Sequence, residues 1–133
     1  MRAYNPAIRE QIWDELEQVF KIAEAMGGSY ELSISKGYPS LKNDPQTTNE
    51  LQSIASEFFS EECLHDGRFG MAAEDFAYMT NHCTGAMFLL GGMIEDGIVR
   101  PHHTPIFDID ESVLWKGTAV LAEMAHRFVT STP

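Results

Sequence analysis

Apolar residues recur every three or four positions near the start of the chain, which predicts a long amphipathic helix. Asn5 and Pro6 are residue types of a helix cap and a first-turn proline, and Gly27 with Gly28 marks the predicted end. The inward positions of this helix are Ile8, Ile12, Leu16, Val19, Phe20 and Ala23. The opposite face is mostly charged, so we expect it to be solvated rather than a binding surface.

After these glycines the spacing changes from the helical period to strict alternation. Tyr30, Leu32 and Ile34 alternate with polar residues, which predicts a strand with one face in water. The run 85–92 is continuously apolar and bounded by glycines, a pattern typical of a strand covered on both faces. The glycines within 63–73 indicate a loop around a short strand.

Two helices are predicted between these strands. The first begins either at Asp44 and Pro45 or at Thr47, where Glu50 would complete a capping box. Its apolar face consists of Leu51, Ile54, Ala55, Phe58 and Phe59. The second is a short helix over 74–79 with acidic residues in its first turn, where the helix dipole favours negative charge.

A final helix is predicted after the apolar run, with Asp108 or Asp110 as its cap. Its inward positions are Val113, Leu114, Gly117, Val120, Leu121, Met124, Ala125 and Phe128. Gly117 is predicted to allow the helix to pack closely on a sheet. The alternation of helices and strands predicts an α/β fold in which a sheet lies between helices.

A turn-rich passage between the first strand and the second helix predicts a domain boundary, with a linker at 37–42. The piece before it holds one helix and one or two strands, too little to bury its own apolar face. We therefore expect the rest of that layer to come from upstream sequence or from a partner.

Composition narrows the class of protein. The 133 residues carry a formal charge of -11 with only nine basic residues, which argues against nucleic acid as a partner. No apolar run approaches the ~18 residues that a membrane span needs, and the first residues do not resemble a signal peptide. Cys63 and Cys83 lack metal or redox spacing, so reduced thiols are favoured over a disulfide. A cytoplasmic location is expected.

The stretch 101–111 holds two histidines, two prolines and three carboxylates, and the prolines are predicted to keep its backbone extended. His103 has the chemistry of a metal ligand, with Asp108 or Asp110 as the carboxylate that orients its ring. The alternative is an ordinary hydrogen-bonded loop histidine, because a zinc site requires three or four ligands. His102 is the weaker candidate, since neighbours in an extended segment point opposite ways.

Glu74 and Asp75 have the residue types of an acid–base pair, although a capped helix end is the simpler interpretation. Four further residues have the residue types of zinc ligands, but their spacing matches no closed four-ligand pattern. These are Cys63, His65, His82 and Cys83.

Five blocks of the sequence occur in an order that a known family shares. They are Arg-Ala-Tyr-Asn-Pro-Ala-Ile-Arg at 2–9, Gly-Tyr-Pro at 37–39 with Asn-Asp-Pro at 43–45, Ala-Glu-Asp-Phe at 73–76, Gly-Ala-Met-Phe-Leu-Leu-Gly at 85–91, and His-Thr-Pro with Phe-Asp-Ile-Asp-Glu within 103–111. Together they resemble the C-terminal part of a metal-dependent amidohydrolase of metallopeptidase family M20, the family of aminoacylase, hippurate hydrolase and auxin-conjugate hydrolase.

The resemblance implies an α/β protein in two parts. Residues 1–36 would be the second half of a lid and dimerisation domain of the α+β, ferredoxin-like kind. Residues 37–42 would be the linker, and 43–133 the C-terminal part of a zinc-exopeptidase-like catalytic domain. It also implies a homo-oligomer, commonly a dimer, or a partner that supplies a missing N-terminal portion.

The resemblance also implies roles for particular residues. In the family pattern a histidine directly before a small residue and a proline is the last metal ligand, so His103 inherits that role and His102 does not. Glu74 and Asp75 lie in a segment expected near the active site, without an assigned step. The metal would be zinc, manganese or a similar divalent ion.

The sequence departs from the family by lacking its other catalytic motifs. These are a His-x-Asp or Cys-x-His metal motif, a bridging ligand and a Glu-Glu pair that activates the metal-bound water; the pair at 61–62 stands in the wrong part of the order. We therefore expect a fragment whose parent hydrolyses the amide bond of N-acyl amino acids or small peptides, and which is inactive alone. The alternative class is a non-enzymatic binding or assembly module that self-associates.

Overall fold

The computed structural model describes residues 1–65, 67 and 70–131. The chain divides into two compact units, the first formed by Met1–Asp44 with Gly67–Ala86 and the second by Pro45–Asp66 with Met87–Pro133. The α-helices of the described residues are α1 (Pro6–Ala25), α2 (Pro45–Phe59), α3 (Phe76–Thr80) and α4 (Leu114–Thr130), and short 3₁₀ turns span Glu61–Cys63 and Glu111–Val113.

Both ends of α1 follow from local hydrogen bonding, as the sequence predicts. The side chain of Asn5 accepts a hydrogen bond from the amide of Ala7 at 2.9 Å, and Pro6 occupies the first helical position. At the other end Gly27 adopts φ +82°, and the amide of Gly28 donates to the carbonyl of Ala23 at 2.8 Å. A left-handed glycine of this kind closes the last turn without a Cβ clash.

The inner face of α1 differs from the prediction. In this helix, which is described throughout, Trp13 is the only buried residue. Three of the positions predicted to face inward, Ile8, Val19 and Phe20, remain exposed by 42% or more. Helical spacing identifies an apolar stripe but not what covers it, and within this unit the described residues place no second layer over that stripe.

The two predicted strands, over 30–34 and within 85–92, are irregular segments, and the described residues contain no β-strand. The burial of 30–35 still alternates, with Leu32 and Ile34 half-buried and their neighbours exposed. The run 85–92 is not covered on both faces, since Leu89 is 55% exposed. A strand needs a neighbouring strand to bond its backbone, and no described segment offers one. The centre of the loop and strand predicted over 63–73, residues 66, 68 and 69, lies outside the described residues.

The second unit is built on α2 and α4. Helix α2 begins at Pro45, the first of its two predicted starts, and buries Leu51 and Ile54, while α4 buries Gly117 and Val120. The rings of Phe59 and Trp115 pack edge to face, with centroids 5.5 Å apart. Gly117 faces the segment 87–92, because a Cβ added there would lie 3.2 Å from a methyl of Leu90. The predicted close approach at Gly117 is therefore present, against an irregular segment rather than a sheet.

Buried apolar residues are few relative to the chain's length. The core consists of Trp13, Leu51, Ile54, Ala77 and Val120 among the residues that the structure describes. Exposed apolar side chains on α4 include Leu114, Trp115, Leu121, Phe128 and Val129. None of the helices in the described part of the chain has the length and apolar character required to cross a membrane.

Candidate functional site

The loop 101–107 in the second unit carries the histidine pair singled out from the sequence. The hydroxyl of Thr104 donates to the carbonyl of Pro101 at 2.9 Å, and the amide of Phe107 donates to the carbonyl of Thr104 at 3.1 Å. The loop is therefore a closed turn. The expectation that its prolines hold it extended is wrong, because these local hydrogen bonds favour a turn.

His103 lies at the tip of this turn in an exposed, left-handed conformation with φ 63°. A residue with a Cβ pays about 1–2 kcal/mol to adopt that conformation. Strain of this kind concentrates at functional sites in proteins. The backbone thus sets His103 apart from the residues around it, independently of its residue type.

His102 has a different environment from its neighbour. Its ring packs on that of Phe107 with centroids 5.1 Å apart and planes inclined by 33°. The rings of His102 and His103 are 6.4 Å apart. Both imidazoles are exposed, and His102 differs from His103 in its ring contact with Phe107. Phe107 could be found from the sequence only as an apolar residue, since nothing in its spacing indicates a ring contact.

An ion pair precedes the loop. The two terminal nitrogens of Arg100 donate to the two carboxylate oxygens of Asp96 at 2.8 and 2.5 Å. The hydrogen bonds from Arg100 lower the pKa of Asp96 to about 2, with a further contribution from the amide of Ile98. This pair was not predicted, because the i,i+4 spacing of opposite charges indicates an ion pair within a helix, and residues 96–100 are not helical.

Asp110 fixes the exit from the loop. Its side chain accepts a hydrogen bond from the amide of Ser112 at 2.9 Å, and its amide donates to the carbonyl of Gly92 at 2.9 Å. The bonds from Ser112 hold the pKa of Asp110 below its usual value. Asp110 thus caps the 3₁₀ turn that leads into α4, whereas α4 itself begins at Leu114, so the predicted cap at Asp110 lies one 3₁₀ turn ahead of the helix.

Neither predicted carboxylate partner contacts His103 through a hydrogen bond recorded among the described residues. Asp108 is exposed and accepts a hydrogen bond from the adjacent amide of Ile109 at 2.9 Å. Asp110 lines an open depression of about 510 Å³ beside the loop. The other lining residues are Met93, Ile94, Glu95, Ile109, Glu111 and Val113.

Glu74 and Asp75 lie in the first unit, immediately before α3. A carboxylate oxygen of Glu74 accepts a hydrogen bond from the amide of Phe76 at 3.1 Å, whereas Asp75 makes no side-chain capping bond. Helix α3 therefore begins two residues later than predicted, and Glu74 satisfies one of its first amides. This geometry is that of a helix cap.

Within 1–65, 67 and 70–131, no three histidine, cysteine, aspartate or glutamate side chains converge to hold a metal ion. Cys63 and Cys83 are free, exposed thiols. A structural or catalytic zinc site requires three or four protein ligands. The described residues therefore do not fit a complete metal site, and His103 has the chemistry of one ligand only.

The comparisons with known proteins identify the family. The model of the Peptidase family M20/M25/M40 matches residues 5–127, so the chain belongs to that family. This membership fits the expected zinc-exopeptidase-like fold. Members of this family are generally metal-dependent hydrolases.

Among its relatives, YhaA of Bacillus subtilis, whose name provisionally describes an amidohydrolase, is 36% identical over 93% of this chain and 32% of its own length. The IAA-amino acid hydrolase ILR1-like 6 of Arabidopsis thaliana is 32% identical over 69% of this chain and 20% of its own. N-acetyl-L-cysteine deacetylase of Bacillus subtilis is 28% identical over 98% of this chain and 30% of its own length. The chain thus spans about a third of the length of the first relatives it matches. No solved structure matches it.

Proposed function

We propose that this chain is a fragment of a metal-dependent amidohydrolase that hydrolyses the amide bond of N-acyl amino acids or small peptides. The family match over residues 5–127 is the observation that carries the proposal. The names of two relatives support the substrate class, because an IAA-amino acid hydrolase and an N-acetyl-L-cysteine deacetylase both act on acylated amino acids. In this proposal residues 1–36 belong to the lid, 37–42 to the linker and 43–133 to the catalytic domain.

His103 is the residue that we assign to the site, as a ligand of a zinc, manganese or similar divalent ion. Its exposure and its left-handed backbone at the tip of a closed turn support this assignment. Asp108 is the better placed of the two candidate orienting carboxylates, since Asp110 already caps the following turn. Glu74 and Asp75 stay candidates for a position near the active site, with capping of α3 as the competing role of Glu74.

We further propose that the 133-residue chain has no hydrolytic activity by itself. Its described residues contribute one imidazole where the chemistry requires several convergent ligands and a base. Activity would then depend on association with the remaining part of the enzyme. We expect this association to take place in the cytoplasm and the complete enzyme to dimerise through the lid.

The second candidate function is a non-enzymatic assembly module. The exposed apolar side chains of α1 and α4 favour it, because isolated soluble domains rarely leave so many large apolar side chains uncovered. In that case the chain would self-associate through these helices and would not need a metal at all.

One pair of experiments separates the two candidates. A chimera in which this chain replaces the matching third of YhaA is assayed on N-acetyl and N-benzoyl amino acids beside the isolated chain. The amidohydrolase proposal expects turnover by the chimera and none above the metal blank by the isolated chain. Turnover by the isolated chain would disprove the need for a partner. A soluble, folded chimera without turnover, together with a stable homo-oligomer of the isolated chain in size-exclusion chromatography, would favour the assembly module.

A further inference from the structure

Arg9 connects α1 to the irregular segment 36–40 in the first unit. Its two terminal nitrogens donate to the carbonyl oxygens of Tyr38 at 2.5 Å and Gly37 at 3.1 Å. The planar guanidinium presents donors in a fixed fork, so it can hold two successive carbonyls at once, which an ammonium cannot do in the same geometry. The third nitrogen, Nε, is buried and has no partner among the described residues.

Trp13 lies one turn further along α1 and is contacted by two cations. The guanidinium carbon of Arg9 lies 5.1 Å from the ring centroid, and the ammonium of Lys36 lies 4.3 Å from it. Both distances fall within the range of cation–π attraction. Lys36 also pairs with Glu10 at 3.1 Å, so the segment 36–40 is held to α1 at its first residue as well as at its carbonyls.

A third connection lies at the other end of the segment. The hydroxyl of Ser40 donates to the carbonyl of Tyr4, just before α1, at 2.7 Å. The rings of Tyr38 and Tyr78, in the same unit, pack edge to face with centroids 6.0 Å apart. A stretch without regular secondary structure is thus attached to its surroundings at Lys36, at the carbonyls of 37 and 38, and at Ser40.

We infer that Arg9 and Trp13 clamp residues 36–40 to α1, so that four of the six residues of the predicted linker, 37–40, move with the helix as one rigid body. The inference goes beyond the proposed function and does not depend on it, since the contacts exist whether or not the chain takes part in catalysis. It assigns to Arg9 the task of fixing where the linker begins.

The first test is backbone ¹⁵N relaxation of the complete 133-residue chain. Gly37, Tyr38 and Ser40 are expected to show order parameters near ~0.85, the value of a rigid backbone and the one expected for α1. Values below ~0.6 at these three amides in the unmodified chain would overturn the inference, because a flexible segment would then coexist with an intact Arg9.

The second test compares two variants with the same change in charge. Arg9→Ala removes the fork and one of the two cations on Trp13, and the order parameters of residues 37 and 38 are expected to fall below ~0.6. Arg2→Ala is the control, since Arg2 is exposed and takes no part in the clamp, and it should leave them unchanged. Unchanged order in Arg9→Ala, or an equal loss in Arg2→Ala, would overturn the inference.

Arg9→Lys provides a milder substitution that keeps the charge. It retains a cation near Trp13 but loses the two-carbonyl fork, so a partial loss of order at Gly37 and Tyr38 is expected. Full order in this variant would contradict the role given to the fork. The order parameters of the unmodified chain test the inference by themselves. It can therefore be disproved even if a variant fails to fold.

Discussion

Arg127 on α4 holds both carboxylate oxygens of Glu57 on α2, at 3.1 and 2.6 Å. Its Nε donates at the same time to Glu123 on its own helix at 2.8 Å, so all three guanidinium nitrogens are engaged. The hydroxyl of Ser53 adds a bond of 2.9 Å to Glu57. A bidentate pair supported on both sides is the kind of surface ion pair that contributes to stability.

This pair predicts a specific acid sensitivity. The bonds from Arg127, and then that from Ser53, lower the pKa of Glu57 from 4.5 to about 2. The folded state therefore favours the ionised form of Glu57 more than the unfolded state does. The resulting stabilisation is fully present above the unfolded pKa. It is lost as the pH falls from about 4.5 through about 2.

Glu57→Gln should lower Tm by a few degrees at neutral pH and should reduce the decline in Tm between pH 5 and pH 2. Thermal unfolding followed by circular dichroism across that range measures both effects. Glu62→Gln, at an exposed position on the 3₁₀ turn, is the control for loss of one negative charge. Equal behaviour of the two variants would contradict the importance of the Arg127 pair.

Ile54 is the one large side chain that is completely buried, with 0% exposure, among the described residues. Ile54→Ala should reduce the free energy of unfolding by about 2–5 kcal/mol, and Ile54→Val by about 0.5–1.5 kcal/mol, because each leaves a cavity in a small core. Leu121→Ala, at a position that is 57% exposed, should change it by less than about 0.5 kcal/mol. Urea unfolding of the three variants checks this order, and equal losses at residues 54 and 121 would show that the core lies elsewhere.

Substitutions at Gly117 compare two opposing effects, the gain in helix propensity and the steric contact with Leu90. Alanine is favoured over glycine inside a helix by about 1 kcal/mol, and the atom nearest to the new Cβ is the end of the Leu90 side chain, which is 41% exposed and free to shift. Gly117→Ala should therefore raise the free energy of unfolding by up to about 1 kcal/mol. Gly117→Val should lower it, since its two extra methyl groups cannot all avoid Leu90. Destabilisation by alanine as large as that by valine would mean that Leu90 is rigidly held.

The sequence predicted most reliably what depends on neighbouring residues. The cap at Asn5 and the stop at Gly27 are each set by bonds or dihedrals within a few positions. The start of α2 at Pro45 fits the preference of proline for the first turn of a helix. The burial of Trp13 was not predicted, because it depends on Lys36, which comes 23 positions later. Residues 30–34 show the predicted alternation of burial but do not form a strand. The hydrogen bonds of a strand depend on a partner segment, which the periodicity of one segment does not reveal.

The candidate site was predicted to a smaller extent. His103 was selected by residue type and by resemblance, but its left-handed backbone and the closed turn around it were not foreseen. The two prolines favour extended neighbours, whereas the hydroxyl of Thr104 and the amide of Phe107 close a turn between them. Side-chain to backbone bonds of this kind compete with intrinsic dihedral preferences, and their outcome is decided by geometry.

The strain at His103 leads to a prediction about stability. Glycine adopts φ near 63° without a Cβ penalty, although it loses more backbone entropy on folding. His103→Gly should therefore raise the free energy of unfolding slightly, by up to about 1 kcal/mol, despite loss of the ring. His102→Gly should lower it, because the contact with Phe107 disappears. Chemical denaturation of both variants checks the contrast, and a destabilised His103→Gly would indicate that its side chain supports the turn.

The central claim is that this chain contributes His103 as one ligand of a metal site that other parts of the enzyme complete. Elemental analysis of the YhaA chimera, in which this chain replaces the matching third, tests the claim most directly when His103→Ala is compared with His102→Ala. The account predicts that His103→Ala lowers the bound divalent metal by about one ion per chain while His102→Ala retains it. An unchanged metal content in His103→Ala, in a chimera that is folded and loaded, would contradict it.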